Sequence, residues 1–179
     1  MNSLKLEEII KSRRLPKDEL DNFWDNLFGF IPAIGFLMAG LGPLLASKTS
    51  VSSNIIWILL SIGTAIFIYT VYSKLSERNL KFIPTGLKID LNENLIKKIS
   101  KQEKWIKSTK KESFHTFIFP FVKFHYGFKL TLIPTNNGIL INFRNQGTVQ
   151  ARMPYQLGIE TLKQKRIEKI INNYAQQAL

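Results

Sequence analysis

The sequence predicts an α+β protein, in which a two-helix transmembrane hairpin precedes a small cytosolic domain with an antiparallel sheet and a C-terminal amphipathic helix. Two apolar windows, 27–46 and 55–72, carry no charged side chain. Residues 114–143 alternate as strands do, and residues 158–179 repeat with helical spacing. The predicted order is a lead-in over 1–26, a hairpin over 27–72 and a basic domain over 73–179.

The two apolar windows are long enough to cross a bilayer. As a helix, residues 27–46 extend about 30 Å, which is the thickness of the hydrocarbon core. A surface helix of a soluble protein needs a polar stripe, and neither window has one. The alternative of a buried hairpin is disfavoured because a chain of 179 residues has little mass to cover it. A cleaved signal peptide is disfavoured because mostly polar residues precede the first window.

The distribution of Lys and Arg predicts the orientation of this hairpin. Residues 1–26 carry five such side chains, the segment after the second window carries four up to Lys88, and only Lys48 lies between the windows. Because cytoplasmic loops are enriched in Lys and Arg, both termini are expected in the cytoplasm, with 47–53 as an external turn. The aromatic residues expected at the two interfaces are Trp24, Tyr69 and Tyr72 inside and Trp57 outside.

Small residues recur at helical spacing within the hairpin and allow close backbone approach. They are Gly35, Ala39, Gly42 and Ala46 in the first helix and Ser61 and Ala65 in the second. This face either packs the two helices together or docks another membrane protein, and the pattern leaves both open. The hairpin contains no Asp, Glu or His, so a pump or channel is not predicted.

The segment before the hairpin reads as two short helices. Residues 4–14 are weakly amphipathic, and we expect them either to lie on the membrane surface or to be a solvated lead-in. Pro16 then begins a second helical segment, with acids in its first turn, that leads into the first span.

The predicted cytosolic domain holds 19 of the 25 Lys and Arg but only 7 of the 13 acids. Residues 90–105 favour a helix with Asp90 and Glu93 in capping-box spacing, although a β-hairpin stays open there. Residues 127–143 read as a β-hairpin, and "TVQARM" is a further candidate strand. The apolar face of the last helix is predicted to contain Ile159, Leu162, Ile167, Ile170, Ile171, Tyr174 and Ala178.

No recognisable catalytic chemistry is present in the sequence. There is no Cys, and His115 and His125 lie among phenylalanines without metal-ligand spacing, so a packing or surface role is expected for both. No paired carboxylates and no phosphate-binding or nucleophile motif occur. We therefore predict no catalytic residue, no cofactor, no metal and no enzyme.

The clustered positive charge is the strongest functional signal. The residues expected to contact an anionic surface are Lys97, Lys98, Lys101, Lys104, Lys107, Lys110, Lys111, Lys163 and Arg166, with Lys165 and Lys169 beside them. The expected partners are a bilayer with an anionic inner leaflet and a membrane protein, which makes the chain a non-catalytic anchor, adaptor or assembly factor. The alternative is a tethered domain that binds anionic lipid, or nucleic acid through Phe119, Phe121, Phe124 and Tyr126, with nucleic acid disfavoured.

Two family resemblances accompany these patterns. A membrane hairpin followed by "GFKLTLIPTNNGILINFRNQG" resembles uncharacterised two-span bacterial membrane proteins over the cytosolic part, and implies no activity. Separately, "SRR", "NFW" and "IGFLMAG" within residues 12–40 are similar to the start of the photosystem I assembly protein family, which also has two spans and a cytosolic domain. Members of that family have a longer connection between their spans than "SKTSVSS", and the resemblance implies an assembly role.

Overall fold

A computed structural model describes residues 3–16, 30–45, 52–111, 114–119, 127–145 and 159–177. The chain divides into two compact units. The sheet unit contains Met1–Lys17, Arg78–Gln150 and Gln156–Leu179, and the helical unit contains Asp18–Glu77 and Ala151–Tyr155. The first residues therefore belong with the sheet, although the sequence predicted residues 1–26 as a separate lead-in.

The sheet unit is built on five antiparallel strands in the spatial order β1-β5-β4-β3-β2. Their bounds are β1 Lys81–Pro84, β2 Ile106–Lys111, β3 Phe114–Phe119, β4 Phe128–Thr135 and β5 Gly138–Asn145. The predicted hairpin over 127–143 is confirmed as β4 and β5, which pair from Phe128 opposite Asn145 to Thr135 opposite Gly138. Asn136 and Asn137 form the turn, and Asn137 takes a positive φ of 68° that Asn tolerates.

Two helices cover the first face of the sheet. They are α4, Ile89–Gln102, and α5, Ile159–Gln176. Alternate strand residues such as Leu130 and Leu132 meet buried helix residues such as Ile96, Ile99 and Ile171, all with 0% exposure. This apolar layer between helices and sheet confirms the predicted α+β class.

A buried asparagine fixes the start of α4 against the β4–β5 turn. The Asn92 side chain, 0% exposed, accepts a 2.6 Å hydrogen bond from Thr85 Oγ1. Its Nδ2 donates to the carbonyls of Leu87, Thr135 and Gly138 at 2.9, 2.9 and 3.1 Å. Because these bonds satisfy backbone groups of a loop and two strands, the amide sets the position of α4 and of the lysines it carries.

The second face of the sheet is covered in part by α1, Ser3–Ser12. Ile9, 6% exposed, packs with Leu80, Ile133 and Leu140, and Leu6 joins the edge of this cluster. The prediction that residues 4–14 lie on a membrane surface or in solvent is therefore corrected, because Leu6, Ile9 and Ile10 pack against the sheet instead.

The helical unit contains α2, Ile31–Leu45, and α3, Ser53–Ser76. Within the described residues only α3, with 24 residues, is long and apolar enough to cross a membrane. The 15 residues of α2 are fewer than the 20 predicted for the first window, so a two-helix transmembrane hairpin is not established by the structure.

The predicted secondary structure needs four corrections. Residues 89–102 form a helix, but its N-cap is Lys88 without a side-chain cap, so Asp90 and Glu93 do not make a capping box. "LKFIPTG" contains strand β1, and the lysine run after Trp105 contains strand β2, and neither strand was predicted. Leu162 is 68% exposed and lies off the buried face of α5, on which Ala175 was missed. Ala178 and "TVQARM" lie outside the described residues.

Candidate membrane-anchored basic surface

Large apolar side chains of α3 point outward. Trp57, Ile58 and Ile68 are 62%, 57% and 62% exposed, whereas the buried residues of this helix are Ile56, Gly63 and Thr70. The buried residues recur every seventh position, so α3 offers one narrow seam to its neighbour, and most of its exposed side chains are apolar or aromatic. This distribution is the reverse of a soluble core helix, which hides its apolar face.

The seam between α2 and α3 is built on two glycines. A Cβ atom on Gly40 would lie 2.8 Å from Leu60 Cγ, and one on Gly63 would lie 3.0 Å from Leu37 Cγ. Helix backbones approach closely where such small residues face a larger one, as in membrane helix pairs. Phe30 and Phe67 add a ring contact with centroids 5.4 Å apart.

The predicted small-residue face is not the one through which α2 and α3 meet. Gly35, Ala39 and Gly42 are exposed, and a Cβ added to either glycine would meet nothing within 4 Å. Ser61 and Ala65 are exposed on α3, while Ala46 lies outside the described residues. Docking of another membrane protein on this face stays a prediction. Sequence spacing missed Gly40 and Gly63, although both are small residues.

Two side-chain hydroxyl groups of α3 form their hydrogen bonds within the helix. Ser61 Oγ donates to the carbonyl of Trp57 at 2.8 Å, and Thr70 Oγ1 donates to the carbonyl of Ile66 at 2.8 Å. Because these two hydroxyl groups donate to the preceding turn, they need no water as a hydrogen-bond partner, which is compatible with a lipid environment.

The segment after α3 is hydrogen-bonded to the segment after α1, within the sheet unit. Arg14 and Asn79 form an antiparallel bridge, flanked by hydrogen bonds of 2.8 Å from Leu15 N to Arg78 O and from Leu80 N to Arg13 O. Arg78 Nε also donates to the Leu15 carbonyl at 2.8 Å. We call this pairing of residues 13–15 with 78–80 the terminal bridge.

A second feature of the sheet unit is a cationic surface across α4 and α5. It consists of Lys98, Lys101, Lys104, Lys165, Arg166 and Lys169, which are all exposed and which we call the basic surface. Lys98 Nζ lies 6.0 Å from the ring centroid of Tyr174 in α5, which brings the two helices' outer residues together. In the described part of the chain, none of the six forms an ion pair.

The remaining predicted lysines divide among several roles. Lys97 is paired with Glu93 at 2.7 Å on one turn of α4. Lys163 Nζ lies 3.9 Å above the Phe128 ring, where desolvation by burial lowers the pKa of its ammonium. Lys107 is exposed on edge strand β2, which also contains Lys110 and Lys111. Lys81, which was not nominated, pairs with Glu168 of α5 at 2.7 Å.

Aromatic residues of the described strands pack inside the sheet unit. Phe117 and Phe128 are 1% and 0% exposed, and Trp105 meets Phe117 and Phe119 with ring centroids 5.3 and 5.8 Å away. Phe119 is therefore a packing residue and not an open platform for base stacking. Phe121, Phe124 and Tyr126 lie outside the described residues, as does Trp24.

The described histidine and acidic side chains do not form a metal site. His115 is half-buried and stacks on Phe117 with ring centroids 6.4 Å apart, and His125 lies outside the described residues. Over those described residues, no group of three His, Asp or Glu side chains is placed to hold a metal ion.

No family model matches the chain, and no curated protein or solved structure is significantly similar to it. The two family resemblances of the sequence therefore stay predictions. The features of the described residues that bear on function are the outward apolar surface of α3, the terminal bridge and the basic surface.

Proposed function

We propose that this protein is an integral membrane protein that crosses the bilayer twice and holds one basic domain at the cytoplasmic face, where it acts as a non-catalytic anchor, adaptor or assembly factor. The terminal bridge is the observation that carries the proposal. Residues 13–15 and 78–80 are hydrogen-bonded neighbours, so the chain between them starts and ends in the same domain.

A chain that starts and ends on one side of a membrane crosses it an even number of times. If α3 is one crossing, a second crossing lies between residues 16 and 52. The 15 residues of α2 extend about 22 Å, and the uncharged window 27–46 of the sequence, which contains it, would extend about 30 Å as a helix.

The environment of α3 supports a lipid rather than an aqueous setting. Its exposed Trp57, Ile58 and Ile68 would leave a large apolar surface in water, whereas in hydrocarbon the same exposure costs little. Trp57 lies near the start of α3 and Tyr72 near its end, which are the levels at which aromatic side chains favour a membrane interface.

The orientation follows from charge. Lys and Arg are abundant on both sides of the terminal bridge and sparse between the helices, where Lys48 stands alone. The positive-inside rule then places the sheet unit in the cytoplasm. Both termini lie there as well, because α1 and α5 belong to this unit.

An adaptor role is supported by two outward surfaces of the described residues. The basic surface offers charge to an anionic partner, and the open face at Gly35, Ala39 and Gly42 offers a close approach to another membrane helix. Nucleic acid binding has less support, since Phe117 and Phe128 are buried and Phe119 packs against the core.

Engineered cysteines provide a direct test, because the chain contains none. Arg14 and Asn79 form a non-hydrogen-bonded pair, whose Cα atoms in such ladders lie about 4.5 Å apart, within the range a disulfide spans. Arg14→Cys with Asn79→Cys should cross-link efficiently in the membrane-inserted protein. Arg14→Cys with Asn172→Cys, on the outer side of α5, should not.

The orientation is tested by labelling intact cells. A reagent that cannot cross the membrane should modify Ser52→Cys, at the start of α3, and should leave Asn172→Cys unmodified until the cells are opened. Failure of the 14–79 cross-link in correctly inserted protein would contradict the even number of crossings. Cross-linking with the opposite labelling pattern would reverse only the orientation.

A further inference from the structure

We propose that the end of the basic surface that carries Leu162 docks on the anionic headgroups of the bilayer, with Leu162 entering the interfacial layer. This inference rests on the membrane attachment proposed above and names the partner of the domain. It is carried by the way the fold brings two cationic half-helices and one exposed leucine to the same end of the sheet.

The contacts of α4 define its direction across the sheet. Its first turns lie at the β4–β5 turn, where Asn92 bonds to the carbonyls of Thr135 and Gly138. The chain just after α4 lies at the opposite end, where Trp105 packs on Phe119. Phe119 pairs with Phe128, the first residue of β4.

Helix α5 runs in the opposite direction. Its first turns lie at the same end as Phe128, because Lys163 sits over that ring. Glu168 then meets Lys81, which pairs with Ile141 closer to the β4–β5 turn. The end of α4 and the start of α5 therefore lie at the same end of the layer, together with Lys101, Lys104, Lys165 and Arg166. Lys98, beside Tyr174 in the last turn of α5, and Lys169 continue the basic surface away from that end.

Leu162 lies on the same stripe of α5 as three of these cations. Lys165, Arg166 and Lys169 follow it by three, four and seven residues, which places all four on one helical face. Leu162 is 68% exposed, whereas the exposed apolar residues Ile89 and Leu91 of α4 are 40% and 52% exposed. A leucine surrounded by lysine and arginine is typical of an interfacial helix, in which the apolar group enters the acyl boundary and the cations meet phosphates.

The attachment of the domain favours lipid over other anionic partners. Only residues 77–80 separate α3 from β1, a tether of about 14 Å when extended. A domain held this close to a bilayer meets anionic headgroups at a high effective concentration, and each basic residue at such a surface contributes about 1 kcal/mol of attraction. Within the described residues, none of the six cations forms an ion pair with an acidic side chain. Their positive charge can therefore be neutralised by the phosphates of a lipid surface.

The test uses the full chain in lipid nanodiscs, with an environment-sensitive fluorophore on a single cysteine. Leu162→Cys and Leu91→Cys form a matched pair, because both leucines are exposed in the helical layer but lie at opposite ends of it. In nanodiscs of equal phosphatidylcholine and phosphatidylglycerol, the label at 162 should shift to the blue and be quenched by nitroxide lipid. The label at 91 should do neither.

Charge dependence separates docking from simple proximity. Phosphatidylcholine alone should give no shift at 162, and salt near 1 M, where screening falls to about 3 Å, should reverse the shift. Changing Lys165, Arg166 and Lys169 to Gln should weaken the docking equilibrium about five-fold for each charge removed. The same changes at Lys11 and Lys88, which lie outside the basic surface, should leave it intact.

A water-exposed label at 162 in anionic nanodiscs would overturn the proposal, as would an equal response at 91. Protection of 162 by an added single-stranded oligonucleotide, but not by lipid, would identify nucleic acid as the partner instead. Because both leaflets of a nanodisc carry the same lipids, the result does not depend on orientation. A chain that fails to enter nanodiscs would contradict the proposed membrane function and not the docking surface.

Discussion

The sheet unit and the helical unit place their apolar side chains in opposite ways. In the sheet unit, Ile96 and Ile99 are 0% exposed and lysines cover the outside of the same helix. In the helical unit, Gly63 is buried while Ile58 and Ile68 of the same helix are 57% and 62% exposed. Water favours the first arrangement because apolar burial drives folding, and hydrocarbon permits the second because close packing of small residues drives helix association.

This contrast supports the proposal that the two units meet two different solvents although they come from one chain. The sheet unit is assembled from separate parts of the sequence, because the helical unit lies between α1 and the strands along the chain. In space, α1 covers part of the second face of the sheet while α4 and α5 cover the first. Residues 80–179 alone would leave Leu80, Ile133 and Leu140 without this cover, so experiments on the domain need the N-terminal helix.

The largest expected effect is in the core of the sheet unit. Ile99→Ala should lower the free energy of unfolding by about 2–5 kcal/mol, because it removes buried methyl groups and leaves a cavity. The measurement is the denaturant or thermal midpoint of the detergent-solubilised chain, followed by a signal from the sheet. Ile58→Ala, on the exposed surface of α3, is the control, and an equal loss there would break the comparison.

A charged substitution tests the solvent around each unit directly. Ile62 of α3 and Ile89 of α4 are both 40% exposed, so Ile62→Lys and Ile89→Lys are matched. At the centre of a membrane helix a lysine costs about 2.5–3.5 kcal/mol of insertion free energy, whereas an exposed site in water changes stability by less than about 1 kcal/mol. Insertion is measured as the membrane-integrated fraction after carbonate extraction, and equal behaviour of the two variants would contradict a lipid environment for α3.

The glycine seam is expected to show an intermediate effect. Gly40→Leu should weaken the α2–α3 contact by about 1–3 kcal/mol, because the added side chain meets Leu60. Gly35→Leu enters open space and should leave the helix pair unchanged. Cysteine cross-linking across the seam, measured in nanodiscs, reports the contact. Loss of a co-purifying partner in the Gly35 variant alone would support the separate docking face.

The smallest expected effect is a pH dependence at Lys163. Burial lowers the pKa of this ammonium in the folded chain, so the folded state loses its proton before the unfolded state does as the pH rises. Stability then rises with pH between the lowered pKa and 10.5. The difference in unfolding midpoint between Lys163→Met and the natural chain should therefore shrink from neutral to alkaline pH. A constant difference would show that desolvation at this site is negligible.

Local patterns predicted the parts of the fold that depend on periodicity. Alternation in "YGFKLTLI", the turn residues "PTNNG" and the returning apolar strand "ILINF" predicted the central hairpin, and helical spacing predicted α5. Strand β1 was missed because its four residues, with a Pro at the end, give no alternation of their own, and they form a strand only by pairing with β5. Edge strand β2 was missed because its lysine-rich sequence shows no apolar alternation, and it forms a strand by pairing with β3.

The candidate sites were predicted less completely, because the spacing of residues along the sequence does not show which residues of different helices and strands lie close together. Lys97 and Lys98 are adjacent in sequence, yet one pairs with Glu93 and the other reaches Tyr174 of α5. Gly40 and Gly63 were overlooked because the spacing of small residues identifies a face of a helix but does not show whether that face contacts the other helix. The terminal bridge joins segments more than sixty positions apart, and no local signal predicts such pairing.

The sequence by itself determined the α+β class, the uncharged windows and the excess of positive charge after residue 73, because composition and periodicity act within short stretches of chain. Only the tertiary structure decided that α1 joins the sheet, that residues 13–15 bond to 78–80, and that the end of α4 and the start of α5 lie at the same end of the sheet. These features depend on which distant surfaces bury each other, and apolar burial is non-directional until the whole fold selects the partners.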